Sequence, residues 1–335
     1  MIQQIIDRFP GTGCAWVDAS GKEAAEYFGF ADKETRVSVD ENTIFPAHSI
    51  SKFITAVCVM KLYEQKLIDL DLPANQYLRQ WKLLTPDGNE SDASVRSLLC
   101  HTAGILDGED AFYGLRRGDP EISLTDILEG KTAYNSRPAR AEKPQGTAFE
   151  YSDAGYCVLQ LLVQEVTHKA FEEAAKELVF DALGLKSTFF VSPKNAACFE
   201  SRMAAGYDDS GLPIPGKFPA VPDLAASGLW STPKELLAVA KAFIAAFHGE
   251  SPLLQAESAR EMAAPVKSFP WTGLGVFTGG ENILVSQGWG ENGQSMVKMN
   301  CATGEISVVM ANRNPGMDQA ESGIEWLANR HFTAQ

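Results

Sequence analysis

The 335-residue sequence contains no run of about 20 apolar residues, the length a helix needs to cross a bilayer. It also lacks any cluster of Lys or Arg, with 29 basic residues against 43 acidic ones and a net charge of −14. A phosphate-backbone binder needs a cationic face, so nucleic acid is not expected as a partner; the acid surplus reads as a solubility feature. The first residues, MIQQIIDRFPGTG, show no basic segment followed by an apolar one. No secretory signal is read there, and a cytoplasmic location is expected. The six cysteines (14, 58, 100, 157, 198 and 301) form no CxxC pair, and in a chain this long they are expected as buried free thiols. The histidines at 48, 101, 168, 248 and 331 show neither HxxxH nor HExxH spacing. No metal or other cofactor is therefore expected. There is no GxSxG either, which argues against the nucleophile elbow of an α/β-hydrolase.

What is present is an ordinary globular composition, 45% hydrophobic and 21% charged, which excludes disorder and collagen-like repeats. The length suggests two domains, or one large unit with an inserted lobe. Residues 13–32 alternate in short runs around Ser20-Gly21 and predict a β-hairpin. From Ser49 the pattern changes. Apolar residues at 50, 53, 54, 57, 58, 59, 60 and 62, with few polar interruptions, predict a helix buried on most sides, with Pro46 just upstream of its entrance. Helical patterns dominate from 66 to 235, including 94–104, 123–130 and one long run over 154–180. Ser231-Thr232-Pro233 reads as the cap and first turn of a further helix. Segments of the last hundred residues carry Val, Ile and Met runs split by Gly turns, and a helix closes the chain at 320–332. Strands at both ends and helices between them imply an α+β fold. One sheet is built from residues 1–65 and 236–335, with a mostly helical domain over 66–235 inserted and the active site between the two.

Three local patterns bear on chemistry. In Ser49-Ile50-Ser51-Lys52 the i and i+3 side chains share a helix face. Ser49 would lie in the first turn, where N–H groups and the helix dipole favour negative charge. Burial in an apolar helix disfavours charged Lys52. A hydroxyl nucleophile needs such help, although SxxK also arises by chance. Tyr151-Ser152-Asp153 enters a helix; it reads either as a phenol presented to a cleft or as a core tyrosine beside a capping Asp153, the latter favoured on local grounds. Ser286-Gln287-Gly288-Trp289 lies in a late strand, where Gly288 permits close backbone approach and the following N–H can serve an oxyanion. A plain glycine-rich turn is the simpler local reading. His48 adjoins Ser49 and points elsewhere; His101 is expected to have a capping role.

Taken in order, these segments resemble the serine β-lactamase and penicillin-binding-protein superfamily, in the branch of class C β-lactamases, D-aminopeptidases and family VIII esterases. TIFPAHSISK resembles the nucleophile helix and SVRSLLCHTAGI the HTSG loop. GTAFEYSDAGY is similar to the YxN loop, AASGLWSTPKELL to the GLWST segment, and SQGWGENGQS to the third motif. The resemblance covers nearly the whole chain. It implies a β-lactamase/transpeptidase-like fold: an antiparallel sheet flanked by helices, with a helical lobe and a cleft between. It implies Ser49 as nucleophile, Lys52 and Tyr151 as the groups that move its proton, and the backbone N–H groups of Ser49 and Trp289 as the oxyanion hole. An acyl-enzyme is then resolved by water.

The chain departs from this pattern twice. Asp153 stands where the motif has Asn; ionised, it only accepts hydrogen bonds and would hold Lys52 protonated. Tyr151 is therefore the expected base, with Lys52 its electrostatic partner. Ser286 stands where Lys or His is usual, and a register shift to Gln287 supplies no cation either. Without one, recognition of a substrate carboxylate weakens. The expected substrates are small neutral esters, amides or D-amino-acid peptides, with β-lactam hydrolysis weak or absent. The alternative is a weakened penicillin-binding-like protein that binds or acylates without efficient turnover. Loops 104–120 and 206–223 are expected to border the cleft, with Arg116-Arg117 on a solvated face.

Overall fold

A computed structural model of the chain describes residues 2–333. Seven strands form an antiparallel sheet in the order β3-β2-β1-β10-β9-β8-β7. They are β1 (Gly11–Val17), β2 (Glu23–Asp32), β3 (Val37–Ser38), β7 (Phe277–Gly280), β8 (Ile283–Gly290), β9 (Gly293–Asn300) and β10 (Ile306–Ala311). The two chain ends meet at its centre, where β1 pairs with β10 from Thr12 opposite Ala311 to Val17 opposite Ile306. The predicted hairpin is β1–β2, with the Asp18 carboxylate accepting the N–H groups of Ser20 and Lys22 to close the turn. A second sheet of three strands, in the order β4-β6-β5, joins β4 (Phe45–His48), β5 (Phe189–Phe190) and β6 (Leu229–Ser231).

Alternation along β1 sends its side chains to two layers. Cys14 and Trp16 pack with Ile5, Ile324 and Leu327 on one face. On the other face Gly13 lies against Pro233 and Phe45. The main core is on this second side and is built around helix α1 (Ser51–Glu64), in which Phe53, Ile54, Val57 and Met60 have no exposed surface. Helix α2 (Asp153–Thr167), helix α3 (Leu224–Ser227) and helix α4 (Pro233–Phe247) share that core. Thr232 caps α4 by accepting the Glu235 N–H, as its sequence predicts.

Five local expectations are corrected. The helix begins at Ser51, so Ser49 and Ile50 form the turn before it. Pro46 lies in β4, an edge strand whose pairing with β6 is irregular between Pro46 and His48; an edge tolerates the missing N–H. The long run over 154–180 breaks at His168, which adopts a left-handed conformation (φ 56°) after α2, and the closing helix is split into Gln319–Ser322 and Ile324–Asn329. Five of the cysteines are buried, but Cys198 is exposed, and all six are free.

Candidate active site

Ser49 sits half-buried between the end of β4 and the start of α1. The turn that presents it is held from both sides. The Ser51 hydroxyl donates to His48 O at 2.6 Å and accepts the Leu229 N–H at 2.9 Å. Thr55 donates to Ala225 O at 2.8 Å. The GLWST segment thereby clamps the nucleophile helix to α3 and β6. Strand β8 closes against the same turn: a Cβ on Gly288 would lie 2.1 Å from Ala47 O and 2.2 Å from Ser295 Oγ, so only glycine allows this approach.

At the second residue of the helix, three positions after Ser49, the Lys52 ammonium is almost wholly buried. It donates to Ser49 Oγ at 3.1 Å and to Ala226 O at 3.0 Å, and pairs with the Asp153 carboxylate at 2.6 Å. It also lies 4.8 Å from the centre of the Tyr151 ring. Burial alone would lower its proton affinity. The Asp153 charge and the Tyr151 phenol outweigh that and hold it well above the ordinary lysine range.

Tyr151 faces both Lys52 and Ser49. Its ring stacks on His101 at 4.4 Å and approaches Phe277 at 6.3 Å. The desolvation this packing imposes raises the phenol above its usual value, although Lys52 pulls the other way. Side by side, then, stand a charged lysine and a neutral phenol. His101 Nδ1 accepts the Ser152 N–H at 3.1 Å, so it braces the residue that caps α2, the kind of role its sequence context suggests. Burial and the Lys52 charge keep it neutral. His48 is buried with its ring against Gly290 and Gly293; burial, then Lys52, lower it to about 3.

Two carboxylates that sequence reasoning missed stand behind Asp153. Asp107 accepts from Ser152 Oγ (2.6 Å), Asp153 N (2.6 Å) and Ala154 N (3.2 Å). It therefore fixes the backbone that carries Asp153. Asp223 is fully buried and accepts from the Tyr134 hydroxyl at 2.6 Å, while its second oxygen has no hydrogen-bond partner. Burial first and the Asp153 charge second raise Asp107 to about 6 and Asp223 to about 7. Their only sequence signals are positional: Asp107 follows HTAG by three residues and Asp223 precedes AASGLWST by two.

Ser286 and Gln287 border Ser49, with Ser286 buried and Gln287 exposed; Gly288 and Trp289 follow on β8. The space that Ser286 and Gln287 enclose with Ser49, Lys52 and Tyr151 is about 10 Å³, room for one water. A substrate must therefore lie over it. A larger cavity, about 590 Å³, is elsewhere, between residues 115–122, Leu124, Phe171, Phe218 and Leu224. Loop 104–120 reaches the site through Asp107. Its arginines are partly exposed and form ion pairs at the surface. Arg116 pairs with Glu291 at 2.7 Å, Gly114 N donates to the same carboxylate, and Arg117 pairs with Glu200 at 2.8 Å.

A serine at the mouth of a buried helix, a lysine one turn on and a tyrosine from a neighbouring loop, set beside an antiparallel sheet, define the β-lactamase/transpeptidase-like class. Solved structures share the architecture, among them a penicillin-binding protein homologue and a D-amino acid amidase. The octameric penicillin-binding protein homologue from Pyrococcus abyssi superposes with a TM-score of 0.78 at 23% identity, covering 98% of this chain and 75% of that one. The D-amino acid amidase from Ochrobactrum anthropi SV3 gives 0.77 at 22% identity, covering 98% and 96%. At these identities the likeness is one of fold. The chain belongs to the β-lactamase family, whose model matches residues 1–330. Among curated relatives, esterase EstB of Burkholderia gladioli is 29% identical over 191 residues, 56% of this chain and 47% of that protein. The chain spans between 35% and 49% of the length of the first curated relatives it matches. No helix among the described residues is long and apolar enough to cross a membrane.

Proposed function

We propose that the protein is a serine hydrolase that cleaves neutral esters or amides through an acyl-enzyme on Ser49. The observation that carries this reading is the Lys52 ammonium, placed between Ser49 Oγ at 3.1 Å and Asp153 at 2.6 Å. A fixed cation beside the hydroxyl favours the alkoxide that forms during attack. Because Lys52 is charged and Tyr151 neutral at rest, neither is a free base. The phenol instead works as a relay: it accepts the Ser49 proton while passing its own to the leaving atom. Water then reverses the path. The Ser49 and Trp289 N–H groups form the oxyanion hole. Support comes from β8, which loses its β7 partner after Val285 and so leaves its edge open alongside Ser49.

Esterase and amidase names among the relatives fit this reading. Ser286 places no cation beside Ser49, which favours neutral substrates over penicillins and peptide carboxylates. The same substitution, with Asp153, motivates the second reading, a protein that acylates but turns over poorly. The experiment is hydrolysis of p-nitrophenyl butyrate and of a penicillin by the wild type, Tyr151→Phe and Lys52→Met. The reading predicts ester turnover by the wild type, little penicillin turnover, and a loss of roughly 10²–10⁴-fold in Tyr151→Phe. Acylation intact in Tyr151→Phe but abolished in Lys52→Met would remove the phenol from the mechanism. A single turnover followed by a stable adduct would favour the second reading.

A further inference from the structure

Among the described residues, five aromatic side chains are more than a third exposed: Phe30, Tyr113, Tyr151, Trp271 and Trp289. Four of them border Ser49 or the segments beside it. Tyr151 lines its pocket, Trp289 lies two residues after Gln287 on β8, Trp271 adjoins Thr272 of the pocket wall, and Tyr113 lies within electrostatic reach of Asp153 and Lys52. Exposed apolar area gathered at a reactive group marks a binding surface.

On the Tyr151 side these rings are continuous. Phe277 approaches Tyr151 at 6.3 Å and Phe149 at 6.4 Å. Phe149 meets Trp271 edge-on at 6.0 Å and Phe269 at 6.4 Å. Trp271 also meets Phe269 edge-on, at 5.6 Å. The wall starts at the phenol and ends at Trp271, which is 48% exposed. Its backbone is pinned, with Gly275 N donating to Leu99 O at 3.0 Å and Thr278 N to Trp271 O at 2.9 Å. Gly275 has φ +73° and packs against Ala56 and Lys52 O, where no side chain fits. The wall therefore needs little ordering when a ligand binds. It is also uncharged. Lys52, 4.8 Å from the Tyr151 ring, is committed to Asp153, and Lys143 is paired with Glu150.

We propose that Phe149, Trp271 and Phe277 hold an aromatic leaving group, so that benzyl-type esters are preferred over small alkyl esters. This deepens the hydrolase reading and rests on it. The relay sets the side of the cleft: Tyr151 protonates the leaving atom, so whatever that atom carries lies along the rings that continue from Tyr151. In the acylation step the Ser49 Oγ–carbon bond forms and the carbon–oxygen bond to the benzyl group breaks. The Ser49 proton passes to Tyr151, whose own proton leaves with benzyl alcohol.

The test compares kcat/KM for benzyl acetate, ethyl acetate and ethyl phenylacetate, which carries its ring on the acyl side. The wild type should prefer benzyl acetate. In Trp271→Ala and Phe149→Leu the benzyl-to-ethyl acetate ratio should fall roughly three- to tenfold, Trp271→Phe should recover most of it, and ethyl phenylacetate should lose less than benzyl acetate. An unchanged ratio in both variants, or a loss borne by ethyl phenylacetate, overturns the proposal. If no ester is cleaved and Ser49 resists labelling, it is the hydrolase reading that fails. Ligand-observed NMR of benzyl alcohol then reads the wall alone: binding to the wild type that is lost in Trp271→Ala upholds it, and no binding overturns it.

Discussion

The Lys52 ammonium meets the Asp153 carboxylate at 2.6 Å in a site where Lys52 is only 4% exposed. Removing that anion leaves burial as the dominant influence on the lysine. Asp153→Asn should therefore lower the proton affinity of Lys52, and the alkaline limb of the kcat/KM profile should move down by about 1–3 pH units. Activity that instead rises with pH in this variant would identify neutral lysine as the base and contradict the relay. The raised folded value of Lys52 contributes stability through the neutral range that is lost as pH rises into the strongly alkaline range.

Asp223 gives a second stability test, of the same sign but in a lower pH window. Burial and the Asp153 charge raise it to about 7, and Asp107 to about 6. Both values exceed those of the unfolded chain, so the folded state binds the extra protons. These two groups therefore make stability fall as pH rises from about 4 to about 7. Asp223→Asn keeps an acceptor for the Tyr134 hydroxyl and removes the buried charge. It should raise stability at pH 8 by on the order of 1–3 kcal/mol, with little effect at pH 5. Denaturant melts at the two pH values check this; a variant less stable at pH 8 would show that the charge itself is structurally required.

Ser286 is buried on β8 and borders Ser49. Ser286→Lys puts a cation where a substrate carboxylate would lie. The ratio of penicillin to neutral-ester kcat/KM should rise at least about tenfold, in line with a charge-assisted hydrogen bond. If the ratio is unmoved while the variant stays folded, the missing cation does not set the selectivity.

Much of the site was legible in the sequence because its motifs are local. Ser49 and Lys52 are three residues apart, a spacing that allows their contact and that the ordered family resemblance singles out. The ordered segments around Tyr151, Gly228 and Ser286 predicted the fold and the neighbourhood. What was not legible depends on long-range topology. Asp107, Tyr134 and Asp223 lie in loops without periodicity and converge only when α2 docks beside α3. Glu291, in the turn between β8 and β9, anchors the loop that carries Arg116, a contact between distant segments. The helix start was misplaced by two residues. Spacing showed the apolar face of α1, but not that Ser51 would be tied to His48 and Leu229 and leave Ser49 in the preceding turn.

The most direct test of the central claim is intact-mass analysis after exposure to a fluorophosphonate, with peptide mapping of any adduct. The account predicts a single phosphonyl group on Ser49 in the wild type, slower labelling in Tyr151→Phe and none in Ser49→Ala. Labelling that persists in Ser49→Ala, or a wild type that takes up no label while remaining folded, would contradict it.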